Sequence, residues 1–159
     1  MKMAIPDIIV ERRSLQKPHI IYTIGYEGRS QEDFSNELKS NGITRLIDVR
    51  EVARSRKPGF SSKRMSDRLT AEGVEYLHFQ SLGSPRPLRE KLKNTGDFGK
   101  FINAYRRHLG MKAESIEELR KNAIEMPTAI MCFERDPTEC HRSIIASELE
   151  KSGFTVVNL

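Results

Sequence analysis

The chain has 159 residues, 37% of them hydrophobic and 31% charged, the proportions of one folded domain and not of a disordered segment. Lysine and arginine number 27 against 22 aspartate and glutamate residues, a formal net charge of +5, which favours an anionic partner such as a nucleotide, a phosphorylated metabolite or nucleic acid. No apolar run approaches the ~20 residues of a membrane span, Pro6 and Asp7 interrupt the N-terminal apolar stretch, and two cysteines without a secretory signal point to a reducing, cytoplasmic compartment.

Residues 1–18 read as an N-terminal extension that stops at Pro18, and residues 19–159 as one α/β domain. Ile20 to Ile24 is a β-rich run closed by Gly25. Ser30, with Asp33 near the capping-box position, opens a helix whose inner face carries Phe34 and Leu38 and which Gly42 terminates. Ile43 to Val49 is a second strand, and Ser61 or Ser62 opens a helix with Met65 and Leu69 inward, ended by Gly73. Val74 to Phe79 is a third strand. The segment from Gln80 to Asp97, with Gly83, Pro85, Pro87 and Gly96, reads as a long loop. Phe98, Phe101, Ile102, Tyr105 and Leu109 give a clear helical stripe, and Ser115 with Glu118 suggests a capping box for the next helix.

Thr128 to Phe133 is the fourth strand. Asp136-Pro137-Thr138-Glu139 then reads as the start of a helix running to Gly153, before a last strand from Phe154 to Leu159. This alternation predicts a single three-layer, Rossmann-like α/β domain, with a mostly parallel five-stranded sheet and helices on both faces.

Two motifs, each following a buried-strand run, concentrate the ionisable groups: Asp48-Val49-Arg50, and the block from Cys132 to Arg142. In a parallel sheet both would open onto one crevice at the carboxyl ends of the strands. In the second block, Glu134, Arg135 and Asp136 occupy a loop, and Cys140, His141 and Arg142 fall in the first turns of the following helix. A helix start attracts anions and activates thiols, and Arg135 and Arg142 suit a phosphate or carboxylate. Cys132 reads equally as a small core residue, Cys140 as reactive or structural, and His141 as one buried face with Ile145 and Leu149. Asp136 reads as a helix cap. Glu134 has neither a cap nor a stripe role, which makes it the leading general acid/base candidate. The spacing of Cys132, Cys140 and His141 lacks the tight pair of a zinc knuckle, so no metal is expected there.

Asp48 interrupts an apolar strand with Arg50 as its same-face neighbour, and the two read either as a structural ion pair or as part of the site. Arg54, Arg56 and Lys57 precede Pro58-Gly59-Phe60, a pattern that suits a base or sugar stacked on an exposed Phe60 with its phosphate held nearby. A solvated basic loop is the plainer alternative. Tyr26 lies in a glycine-flanked turn, Gly25 to Gly28, where a backbone approaches a ligand. The turn lacks the third glycine of a dinucleotide fingerprint. His78 reads as structural.

Thr23-Ile24-Gly25-Tyr26, Leu46-Ile47-Asp48-Val49-Arg50 and the block from Cys132 through Cys140-His141-Arg142 together resemble the family known as domain of unknown function 488, over residues 20–159. The resemblance implies a Rossmann-like α/β domain and names no reaction. Gly25-Tyr26-Glu27 stands where the family more usually has Gly-His-Ser. A weaker likeness, carried by Leu46 to Glu51 and by a later strand ending in Cys132, is to rhodanese-type domains. There, however, the proline and acidic residues after Cys132 make a poor cradle for a persulfide.

The leading expectation is an α/β domain acting on a phosphate-bearing ligand, a nucleotide or nucleic acid. Arg50, Arg135 and Arg142 would hold the anion, Glu134 and Asp48 would move protons, and Cys140 or Cys132 would serve as nucleophile. A non-catalytic nucleic-acid-binding module and a rhodanese-like sulfurtransferase are the alternatives. No cofactor and no oligomeric state are specified by the residues.

Overall fold

In the computed structural model, which describes residues 17–159, five parallel strands form one sheet: β1 (Ile20–Gly25), β2 (Arg45–Asp48), β3 (Glu75–His78), β4 (Thr128–Cys132) and β5 (Thr155–Asn158). Their order across the sheet is β3-β2-β4-β1-β5. The central strand β4 pairs with β1 on one side (Gly25 opposite Cys132) and with β2 on the other (Asp48 opposite Met131). The extension at residues 1–16 lies outside the described residues. Among the described residues no helix is long and apolar enough to cross a membrane.

Each face of the sheet carries its own core. The helices α1 (Gln31–Ser40) and α2 (Ser62–Ala71) place Phe34, Leu38, Met65 and Leu69 against Ile24, Leu46, Ala129 and Met131. On the opposite face, α4 (Phe98–Gly110), α5 (Ala113–Glu125) and α6 (Arg142–Lys151) place Tyr105, Leu119, Ile145 and Leu149 against Ile21, Ile47 and Ile130. The alternation of side chains along a strand distributes consecutive apolar residues to the two cores. Complete burial of β2 and β4 follows.

Local signals act where expected at α1. Ser30 accepts from the Asp33 amide at 3.0 Å and Asp33 reaches back to the Ser30 amide, a complete capping box. Three expectations need correction. The segment after Gln80 is not a loop: a 3₁₀ turn (Gln80–Leu82) leads into α3 (Arg86–Thr95), capped by Pro85 and ended by Gly96 in the left-handed region. Proline costs no hydrogen bond in the first turn of a helix, so Pro85 and Pro87 mark its start. The helix α5 begins at Ala113, and Ser115 meets the Ser81 hydroxyl instead of capping it. Finally, Asp136 caps only a 3₁₀ turn (Pro137–Glu139); Cys140 is extended, and α6 starts at Arg142.

Candidate functional site

The chain leaves β1 and β2 toward α1 and α2, but leaves β4 toward α6 on the opposite face. The connections therefore diverge on both sides of the end of β4, and such a switch point opens a crevice at the carboxyl edge of the sheet. Backbone pairing continues past the strands there. Tyr26 N donates to the Cys132 carbonyl at 3.3 Å, Glu27 N to that of Phe133 at 2.9 Å, and Val49 N to that of Met131 at 3.0 Å. The segments around positions 50 and 134 are thus neighbours and line one hollow of ≈ 280 Å³. Its walls include Tyr26, Arg50, Arg54, Phe133, Glu134 and His141. A larger hollow of ≈ 430 Å³ between α3 and α4 contains no residue from the strand ends.

Asp48 and Arg50 are largely committed to each other. Arg50 Nη2 donates to Asp48 Oδ2 at 2.6 Å and its Nε to Oδ1 at 2.9 Å, while the Tyr76 hydroxyl donates to Oδ2 at 2.5 Å. Asp48 is fully buried. Burial works against the charge on Arg50, yet the carboxylate beside it outweighs that cost and raises its pKa. Burial, reinforced by the Asp48 charge, likewise raises the Tyr76 phenol. Arg50 Nη1 donates to the Tyr26 hydroxyl at 3.0 Å. Nη1 and Nη2 each carry two hydrogens, so each keeps one N–H beyond these bonds.

Arg142 does not reach the crevice as an anion clamp. It is fully buried, and its Nη1 and Nη2 donate to the carbonyls of Glu134 and Arg135, the latter at 3.1 Å, with Nε toward the Thr23 hydroxyl at 3.3 Å. This grip fixes the loop that carries Glu134. The same loop rests on Gly25, where a Cβ would collide with the Glu134 carbonyl. Glu134 itself is half-buried, and its Oε2 is enclosed without a hydrogen-bond partner. A buried carboxylate oxygen lacking a donor is costly.

Beneath Glu134 lie both cysteines and His141. The His141 Nδ1 is 3.8 Å from the sulfur of Cys132 and 3.8 Å from that of Cys140, and Nε2 faces the Val49 carbonyl at 2.8 Å. That carbonyl only accepts, so Nε2 bears the proton and Nδ1 presents a lone pair to the sulfurs. Both thiols are free and buried. Burial, with the Cys132 sulfur adding to it, pushes the Cys140 thiol well up. This opposes the activation expected of a helix start, and Cys140 does not line the crevice.

Other residues fall elsewhere. Phe60 is not an exposed stacking platform: it is fully buried, stacked on Tyr26 at 4.6 Å between centroids and edge-on to Phe34. Arg56 is exposed but outside the crevice, and Arg135 lies over α1 in a separate shallow hollow with Arg29 and Asp33. Arg54 is exposed at the rim of the crevice. Sequence reasoning overlooked Phe133, which is 43% exposed on the crevice wall and meets Tyr26 edge-on, and it counted Arg89, which pairs with Glu51 there, only among the basic residues of segment 86–93 suited to a nucleic-acid backbone. Phe133 was read as the last residue of the fourth strand, which ends at Cys132, and a large apolar residue at the mouth of that strand was the available signal. Arg89 drew notice only for its charge while its helix read as loop.

Comparison with curated proteins and with solved structures returns no match. A family model does match, over residues 30–149, which is most of the chain and takes in both the Asp48–Arg50 and the Cys132–Arg142 segments. The chain therefore belongs to the family described as Domain of unknown function DUF488.

Proposed function

We propose that the protein binds and processes a small phosphate-bearing ligand of the nucleotide type in the crevice above β4. The observation that carries this reading is Glu134: its Oε2 is buried and unpartnered, and Arg50 and Arg54 line the same hollow. A carboxylate without a donor, in a hollow that cations also line, suits proton transfer at a bound anion. Arg54 and the free N–H groups of Arg50 receive the phosphate, and the exposed ring of Phe133 receives a base or sugar. Glu51 and Glu139, which also line the hollow, suit the donor groups of such a ligand.

Size favours a small ligand over a polynucleotide. The hollow of ≈ 280 Å³ falls just below the usual range of small-molecule sites, roughly 300–1,000 Å³. The basic segment 54–68 is also less open than its composition implies. Lys57 turns inward to the Tyr26 carbonyl at 3.1 Å, and Arg68 reaches Gln31 at 2.5 Å.

Thermal-shift titration with inorganic phosphate, pyrophosphate and a panel of nucleoside mono- and diphosphates tests the reading. A raised melting temperature with at least one phosphate compound, lost in Arg54→Ala, supports it. A substrate found in this way should be retained but no longer turned over by Glu134→Gln. Turnover at the wild-type rate in that variant would reject the role of Glu134.

A further inference from the structure

We propose that Cys132, Cys140 and His141 form a binding site for a thiophilic divalent cation of the zinc type, with its fourth coordination position opening on the crevice. The three potential ligand atoms lie within 4.8 Å of one another, and all three residues are buried. Metal–sulfur and metal–nitrogen bonds of about 2.3 and 2.0 Å at tetrahedral angles separate sulfur from nitrogen by about 3.5 Å and two sulfurs by about 3.8 Å. The Nδ1 to sulfur distances, 3.8 Å to each cysteine, fall close to this spacing. They lie at the long end for a hydrogen bond to sulfur, so without a cation the imidazole lone pair is met only by weak thiol donors.

The surroundings fit a metal as well as the ligands do. A coordinating histidine normally donates its other N–H to a carbonyl or carboxylate, which fixes the tautomer and the ring orientation. His141 does so to Val49 at 2.8 Å, and the edge of its ring packs against Tyr105 at 5.1 Å between centroids. Two thiolates, a neutral imidazole and a divalent cation sum to zero charge, so the buried floor gains no net ion. The two thiol protons pass to solvent when the cation binds.

The backbone explains how a spacing unlike that of a zinc knuckle brings these residues together. Cys132 ends β4, the chain makes the 3₁₀ turn at Pro137–Glu139, and an extended Cys140 followed by a helical His141 returns both side chains to the strand end. Cys132 and His141 line the crevice but Cys140 does not. The open coordination position therefore faces Glu134 and the proposed ligand, where a water or a phosphate oxygen takes it. Three protein ligands with one open position is the arrangement of reactive, not purely structural, sites of this ion.

The test uses the full chain, purified under reducing conditions, freed of metal with a chelator and titrated with Co²⁺ alone. The expected result is saturation at one equivalent, with sulfur-to-cobalt charge-transfer absorption in the near ultraviolet, intense visible bands of tetrahedral cobalt, and displacement of both by Zn²⁺. Cys132→Ser and Cys140→Ser should each lower the charge-transfer intensity and weaken Co²⁺ by more than about tenfold. Glu134→Gln should leave the bands in place, which separates this site from the acid/base role of Glu134. Folded wild-type protein that shows no charge-transfer band with excess Co²⁺ would overturn the proposal, whatever the phosphate titration gives. Bands undiminished in a folded Cys132→Ser/Cys140→Ser variant would overturn it equally.

Discussion

Arg142, buried beneath the sheet edge, donates to the backbone carbonyl of Glu134 and so sets the position of the carboxylate that faces the crevice. The arginine is a positioning residue: it touches the loop and not the hollow. Lysine offers a point charge in place of a planar fork and cannot serve the carbonyls of Glu134 and Arg135 and the Thr23 hydroxyl together. Arg142→Lys should lose about 3 kcal/mol of stability in urea unfolding, since a hydrogen bond to a charged group contributes about 1.5–3 and an orphaned buried acceptor costs about 1–3. Gly25 supports the same loop from the other side. Gly25→Ala should cost about 1–3 kcal/mol, the usual range for overpacking, because the new methyl meets the Glu134 carbonyl. A Gly25→Ala protein as stable as wild type would mean that the loop shifts freely.

Phe60 and Phe133 exchange the roles that composition suggests for them. Phe60 fills the core between Tyr26 and Phe34, and Phe133 stands on the crevice wall. Phe60→Ala should destabilise the fold by about 3–5 kcal/mol, as expected for a buried aromatic. Phe133→Ala should change stability by less than about 1 kcal/mol while reducing the thermal shift produced by a nucleotide. Parallel unfolding curves and ligand titrations on the two variants decide the assignment, and a large loss of stability in Phe133→Ala would return that residue to the core.

The parallel sheet was legible because each strand run is apolar and each connection carries a helical stripe. Phe34 with Leu38, and Tyr105 with Leu109, pack as their spacing implies. Failures arose where tertiary contacts redirect a local signal. Asp136-Pro137-Thr138-Glu139 does start a helical turn, but His141 must reach Val49, and the backbone is extended at Cys140 before α6 begins. Pro85 and Pro87 were read as loop residues, although proline in a first turn is a start signal; the reading therefore left Arg89 on a basic loop and not on a helix at the crevice. The convergence of the two motifs was readable from topology alone. Which of their cations would be consumed internally was not, because Arg142 meets its carbonyl partners only through the fold, and the commitment of Arg50 was one of two open readings.

His108 gives the protein a specific acid sensitivity. Burial, with Lys112 adding to it, holds the imidazole below its ordinary value, and Nε2 is enclosed without a partner. An unfolded histidine titrates near pH 6.5, so as pH falls through that value the unfolded chain takes up a proton that the folded protein resists. The unfolded state then binds more protons, and the contribution of His108 to stability declines as pH falls from about 7 to 5. His108→Gln should flatten the dependence of the urea midpoint on pH over that window relative to wild type. Identical slopes for the two proteins would show that the imidazole titrates freely in the fold.

The Asp48–Arg50 pair has lost most of its contact with water, and its energetics should show the asymmetry of buried charges. Removing either member strands the other: Asp48→Asn leaves a guanidinium beside a neutral amide, and Arg50→Met leaves a carboxylate with only the Tyr76 hydroxyl and the Arg50 amide nitrogen as donors. Each single variant should lose about 3–5 kcal/mol. The double variant removes both charges together, so it should be clearly less destabilised than the sum of the singles, with a coupling of about 2–3 kcal/mol. A double-mutant cycle from urea unfolding measures that coupling. Additive losses would show that water reaches the pair and screens it.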